Sequence, residues 1–285
     1  MVKSNFLRRA ISTLLLWGLI LTVIITDWDW GFGLLIPFIG TVALGEFFYA
    51  LKNKGIRTFR KTGIISSLCF LIGSWLILSG RLPYLSQSLF ELVCLLIFLL
   101  GILSRQVFDR SQATPIVTTA VTFFGVFYVV WLFNFVTRLI YFSPEGREPF
   151  LLLYLLLVTK VTDIGAYLGG GLLGRHKLLP EVSPKKTWEG FIAGILCSVA
   201  ASYGMVYFFP QRLALISQNW ALVLGLMIAL ISVVGDLAES VLKRDTQIKD
   251  SGSFIPGIGG ALDLIDSILF TAPVLYLFLQ LQATL

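Results

Sequence analysis

Charge is scarce in this sequence. Only 13% of its 285 residues are Asp, Glu, Lys or Arg, 56% are hydrophobic, and the mean hydropathy is +0.86. Soluble domains carry about 25% charged residues, so composition excludes that class and leaves an integral membrane protein. Cysteine is also rare: Cys69, Cys94 and Cys197 each stand inside an apolar run, with no CxxC and no adjacent histidine. That pattern reads as small core residues and argues against a zinc or disulfide framework. His176, the single histidine, lies between Arg175 and Lys177 and reads as a solvated loop residue rather than a general base or metal ligand. Neither an internal repeat nor a low-complexity tract is present, and the loops are too short for a soluble domain.

Long apolar segments fill the space that charge leaves. Taking about 20 residues as a span, they lie near 11–26, 31–51, 63–80, 88–104, 115–136, 149–168, 188–209, 218–238 and 264–282. The expectation is an all-α integral membrane protein of about nine transmembrane helices. The first span follows basic residues as a signal peptide would. No small-residue cleavage site follows it, and Asp27 and Asp29 come next, so it reads as a retained helix.

Basic residues are distributed unevenly between alternate loops. One set holds Lys3, Arg8, Arg9, Lys52, Lys54, Arg57, Arg60, Lys61, Arg105, Arg110, Arg175, Lys177, Lys185, Lys186, Lys243, Arg244 and Lys249. The other holds Arg81, Arg138, Arg147 and Arg212, a split of 17 to 4, with Lys160 inside a span. Positively charged loops stay cytoplasmic, which predicts the N-terminus inside and the C-terminus outside. The same bias accounts for the net charge of +6 without nucleic acid. Trp28, Trp30, Tyr84, Tyr141, Trp188 and Trp220 fall near span ends as interfacial anchors. Glu46 lies within the second span and has no evident role.

Polarity divides the chain into a transmembrane scaffold, 1–147, with about five helices, and a catalytic region, 148–285, with about four. Six of the sixteen acids lie between Gly235 and Asp266. Trp220 to Val234 gives 15 apolar residues, about 22 Å of helix against a hydrocarbon core of about 30 Å. The helix must therefore continue through Asp236 and Glu239. Asp236, Glu239, Ser240 and Lys243 then share one face. An acid in the bilayer costs about 2.5–3.5 kcal/mol, whereas an exposed i,i+4 pair returns about 0.3–0.5 kcal/mol. A water-accessible functional cavity fits that imbalance better than a self-paired helix end.

Beyond the stripe come Arg244, Lys249, Asp250 and a turn containing Gly257, Gly259 and Gly260, whose backbone N–H groups suit an anion. Without GKS or GKT it is no Walker motif. Asp263 and Asp266 follow at i and i+3. With Asp236 they supply hard oxygen ligands of the kind Mg2+ takes together with substrate phosphates. The plain alternative is that these acids favour a helix N-terminus, at about 0.3–1 kcal/mol each, more readily for Asp266 than for Asp263. Upstream, Lys160, Asp163 and Tyr167 sit near the cytoplasmic end of the sixth span; Lys160 and Asp163 read either as a self-neutralising pair or as a site wall. Ser183 and Pro184 look like the N-cap and first residue of the seventh helix, placing Lys185 and Lys186 at the membrane face for a polyphosphate.

These residues carry a family resemblance. Asp163-Ile-Gly-Ala-Tyr167, Ser183-Pro-Lys-Lys-Thr-Trp-Glu-Gly190, Gly235-Asp-Leu-Ala-Glu-Ser240, Lys243-Arg244, Lys249-Asp250, Pro256-Gly257, Gly259-Gly260 and Asp263 to Asp266 together resemble the phosphatidate cytidylyltransferase (CDP-diacylglycerol synthase) family. The motifs cover about the last 110 residues. Ile258 and Leu264 stand where the family signature usually has His and Arg, so no role of those side chains carries over.

The resemblance implies transfer of the cytidylyl group of CTP to phosphatidic acid, giving CDP-diacylglycerol and pyrophosphate, in the inner membrane of a bacterium with the active site facing the cytoplasm. It implies Asp236 and Asp263 as catalytic metal ligands, with Asp266 beside them, for Mg2+ at two cations per site, and Lys243 neutralising the reacting phosphates. Lys185, Lys186 and the Gly257, Gly259 and Gly260 turn would hold the nucleotide. Ser183, Ser240, Arg244, Lys249, Asp250, Asp163 and Tyr167 complete the expected substrate site. Expected partners are CTP, phosphatidic acid, membrane lipids and a second copy of the chain in a homodimer, but no nucleic acid. Two other readings are a polytopic transporter with intramembrane charges and a CTP-dependent lipid kinase.

Overall fold

The computed structural model describes residues 2–109, 114–143, 148–248, 252 and 259–284, with side chains described from 14 to 283. Lys249, Asp250 and Gly257, expected at the nucleotide, lie outside the described residues, as does Ile258.

Nine helices run through the described residues: α1 (Val2–Ile25), α2 (Asp29–Asn53), α3 (Arg60–Leu78), α4 (Gln87–Phe108), α5 (Pro115–Ile140), α6 (Pro149–Leu173), α7 (Trp188–Phe208), α8 (Gln218–Asp245) and α9 (Ala261–Thr284). Eight are long and apolar enough to cross a membrane; the described apolar part of α1, Leu14–Ile25, is shorter. In hydrocarbon every backbone polar group must be satisfied internally, which is why so apolar a chain folds almost wholly as helix. As the span-length argument requires, α8 continues past Val234 to Asp245, reaching 28 residues.

Among the described residues, the paired strands form a hairpin between α6 and α7. Strand β1 (Lys177–Leu179) pairs antiparallel with β2 (Ser183–Thr187), with Lys177 opposite Thr187 and Leu179 opposite Ser183. Ser183 is therefore a strand residue and not the N-cap of the seventh helix. That role belongs to Thr187, whose side chain accepts the N–H of Gly190, so the helix starts at Trp188. The Ser-Pro signal was misleading because pairing with β1 holds residues 183–187 extended, and a cap forms only where the chain leaves the strand.

The chain divides into two compact units. The first comprises residues 1–138 and 246–264. Leu44, Phe48, Leu71 and Ile102 are nearly inaccessible in its core. It also holds a charge cluster: buried Glu91 pairs with Arg138, accepts from Asn134 Nδ2 at 3.0 Å and accepts from Gln87 Nε2 at 2.7 Å. Arg138, expected in a loop, thus lies within the last turns of α5. The Arg81 guanidinium stands over the rings of Trp30 and Trp75 at 4.6 and 4.5 Å, and it meets Asp29 at 2.5 Å.

The second unit comprises residues 139–245 and 265–285. Small residues let its helices approach closely. A Cβ on Gly165 would lie 2.7 Å from Cys197 Cβ, and one on Gly190 would lie 2.6 Å from the Ala166 carbonyl oxygen. With no hydrophobic drive between helices in lipid, such close packing and interhelical hydrogen bonds hold the bundle. Ser198 Oγ donates to the Gly225 carbonyl at 2.7 Å, and Tyr154 and Ser202 hydroxyls meet at 2.6 Å.

Candidate active site

Three elements of the second unit converge on one cluster of charges. Carboxylate oxygens of Asp236 and Glu239, from α8, and Asp266, from α9, lie within 4.8 Å of one another. Glu239 is 1% exposed and Asp266 is 8% exposed, while Asp236 is half-buried. The approach of the two helices depends on Gly235: a Cβ there would stand 2.9 Å from the Asp266 backbone oxygen and 3.1 Å from Ser267 Cα. The glycine beside Asp236 is what lets α9 bring Asp266 to it.

Two lysines answer these acids. Lys186 Nζ, at the end of β2, stands 2.7 Å from Asp236 Oδ2, and Lys243 Nζ stands 2.7 Å from Glu239 Oε2 on the same helix. The hairpin thus supplies one cation and α8 the other. With Asp163 and Lys160 beside them, four crowded carboxylates stand against three ammonium groups, which leaves one negative charge over, and in a low-dielectric setting such a surplus calls for a proton or a bound cation. All donors are hard carboxylate oxygens, without thiolate or imidazole, a set suited to Mg2+ or Ca2+ rather than zinc.

Beside the cluster opens a cleft of about 320 Å3, lined by Asp163, Tyr167, Lys185, Lys186 and Asp236 among others. Five of the residues expected from sequence therefore share one wall system. Lys160 Nζ lies 3.6 Å from Asp163 Oδ2, and Ser232 Oγ donates to Asp163 Oδ1 at 3.4 Å. Asp163 is thus both paired and part of the cleft. Ser240 is half-buried on α8, Arg244 is exposed in its last turn, and Ser183 is half-buried in β2. His176 is exposed and its Nδ1 meets Glu189 Oε1 at 2.6 Å; Glu189 also accepts the Arg175 N–H at 3.1 Å and fixes the entry to the hairpin.

In the first unit, Gly259 has φ +125°, a conformation open to glycine, and Asp263 Oδ2 accepts the N–H of Gly260 at 2.7 Å. The two aspartates expected as a pair have different surroundings: Asp263 engages a backbone N–H at the start of α9, while Asp266 joins the carboxylate cluster. Asp266 Oδ1 also accepts a backbone N–H, that of Ser267 at 2.5 Å, so a backbone contact does not by itself separate the two aspartates. Glu239 was placed on the polar face but not among the metal ligands; its i+3 spacing from Asp236 was the available signal. Glu46 accepts the Leu262 N–H at 2.9 Å.

Fold and site define an integral membrane protein with a carboxylate and lysine centre in its later helices. Residues 7–282 match the sequence model of the cytidylyltransferase family, and the chain belongs to that family. A phosphatidate cytidylyltransferase of Staphylococcus aureus (strain COL) is 40% identical over 141 residues, covering 49% of this chain and 52% of that one. The chain thus spans about half the length of the staphylococcal relatives it matches. A phosphatidate cytidylyltransferase of Synechocystis sp. is 31% identical over 302 residues, covering 96% of each chain. The uncharacterized protein YnbB of Escherichia coli is 35% identical over 213 residues, covering 72% of this chain and 70% of its own.

Proposed function

We propose that this chain transfers the cytidylyl group of CTP to phosphatidic acid, forming CDP-diacylglycerol and releasing pyrophosphate. The observation that carries the reading is the cluster of Asp236, Glu239 and Asp266, flanked by Lys186 and Lys243 beside an open cleft.

In the reaction a phosphatidate oxygen attacks the α-phosphorus of CTP. The new O–P bond forms as the bond from the α-phosphorus to the β-bridging oxygen breaks, and the electron pair leaves with pyrophosphate. Little covalent work falls to the protein, so catalysis is positioning and charge neutralisation. Lys185 and Lys186, lining the cleft, bind the triphosphate. Lys243, held on Glu239, meets the charge that builds on the reacting phosphates. Asp236, Glu239 and Asp266 would hold the metal, and Asp263 as a further ligand, with two cations per site, is part of the proposal. Mg2+, when bound, offsets phosphate charge and aligns attacking and leaving oxygens. Asp163 and Tyr167 shape the cleft wall, and a nucleotide-holding role for the Gly257, Gly259 and Gly260 turn is part of the proposal.

The reading places the N-terminus and the site on the cytoplasmic side of a bacterial inner membrane, supported by the 17 to 4 distribution of basic residues. CTP then arrives from water and phosphatidic acid from the bilayer. Membership of the cytidylyltransferase family gives no support to a transporter or a lipid kinase. Purified protein in detergent, supplied with CTP, phosphatidic acid and Mg2+, is expected to release pyrophosphate as CDP-diacylglycerol forms, and chelation should stop both. Absence of the lipid product with fresh substrates overturns the proposal.

A further inference from the structure

Glu46 is an acid inside a membrane-spanning helix, in the last third of α2, where an acid is costly unless a partner compensates. It lies in α2, 216 positions from its partner, and is 9% exposed. Its Oε2 accepts the N–H of Leu262 at 2.9 Å, in the first turn of α9. The first N–H groups of a helix have no intrahelical acceptor, and here a carboxylate from a distant helix provides one.

Two glycines shape the space around it. A Cβ on Gly252 would overlap Glu46 Oε1, and a Cβ on Gly260 would overlap Oε2. Both glycines lie so close to the carboxylate that a side chain at either position would displace it. The turn so gripped contains Gly259, at φ +125°, and Gly260, whose N–H goes to Asp263 Oδ2 at 2.7 Å. Glu46 and Asp263 together fix two successive parts of this turn: one takes the Gly260 N–H and the other takes the Leu262 N–H. All these groups belong to the first compact unit.

The geometry points to Glu46 as a positioning residue for nucleotide binding: it holds the Gly259–Gly260 turn and the first turn of α9, and with them Asp263, in one fixed conformation. It touches neither substrate nor reacting atoms and acts through the turn. This inference rests on the cytidylyltransferase reading for its kinetic consequence, though not for its structural one.

The test compares Glu46→Ala, which removes the acceptor, with Glu46→Gln, which keeps a carbonyl oxygen for the Leu262 N–H. A charge-assisted hydrogen bond of this kind corresponds to about a 10- to 100-fold effect. Glu46→Ala should raise KM for CTP by that factor, leave KM for phosphatidic acid within about 2-fold, and accelerate amide exchange at 259–263 while α6 and α7 exchange as before. Glu46→Gln should recover most of the loss in both readouts. Unchanged exchange at 259–263, or an unchanged KM for CTP in an active Glu46→Ala enzyme, overturns the inference. Wild-type protein that makes no CDP-diacylglycerol overturns the functional reading instead, and the exchange comparison then decides the role of Glu46 by itself. Should Glu46→Ala fail to fold, Glu46→Gln and Gly260→Ala are measured in its place; normal exchange in Gly260→Ala then counts against the grip.

Discussion

Replacing Gly235 by alanine tests whether the contact of α8 with α9 sets the geometry of the site. The added Cβ would lie 2.9 Å from the Asp266 backbone oxygen, 3.0 Å from Phe270 Cδ2 and 3.1 Å from Ser267 Cα. Ordinary contacts begin near 3.4 Å, so α9 must retreat by about 0.5 Å, and because the first obstacle is backbone no side-chain rotation relieves it. Asp266 moves with its own backbone, away from Asp236 on the neighbouring turn. Misplacement of a catalytic group by about 1 Å costs about 100-fold, so half that displacement should lower kcat by about 10-fold. Overpacking also destabilises by about 1–3 kcal/mol. Gly225→Ala supplies the comparison: its Cβ would lie 2.7 Å from Val199 Cα, a somewhat tighter crowding of α8 against α7. That site is eleven residues, about 16 Å, along the helix from Asp236. Initial rates of CDP-diacylglycerol formation, normalised to folded protein and measured across Mg2+ concentration, should fall for Gly235→Ala and stay near wild type for Gly225→Ala. Equal kcat and equal Mg2+ dependence in the two variants would refute the link between helix approach and carboxylate geometry.

Asp266→Asn should lose at least about 100-fold in activity. It should also show a higher thermal midpoint than wild type in chelator, because one of three crowded carboxylates is gone. A lower midpoint without metal would contradict the crowding argument. Asp263→Asn should abolish turnover while the protein stays folded; retained activity would remove Asp263 from the proposed ligands. Glu91→Ala leaves the half-buried Arg138 without the Glu91 carboxylate and should cost about 1–3 kcal/mol of stability. Its kcat per folded molecule should match wild type, and a selective loss of kcat would show the Glu91 cluster to be more than structural.

Helices were legible from the sequence because lipid forces the backbone to satisfy itself locally, so apolar length suffices to place them. The continuation of α8 through Asp236 followed from the same reasoning, since 15 apolar residues fall short of a span. Contacts between distant segments were not legible. Glu46 meets Leu262 across 216 positions, and Glu91 meets Arg138 across 47; helical periodicity says which face a residue occupies, not which helix lies opposite. The hairpin at Lys177–Thr187 was hidden because Ser183-Pro184-Lys185-Lys186 has little strand propensity and is held extended by pairing. Lys186 was read as a nucleotide ligand, but its pairing with Asp236 emerges when the hairpin and α8 are both in place.

The fate of the two ends of CTP is the most direct measure of the central claim. With purified protein, phosphatidic acid and Mg2+, CTP labelled at the α-phosphorus should pass its label into extractable lipid. CTP labelled at the γ-phosphorus should yield labelled pyrophosphate and unlabelled lipid. Label from the γ-position in the lipid, with CDP released, would make the protein a lipid kinase and contradict the assignment; label in lipid from neither position would deny it nucleotide chemistry on phosphatidic acid.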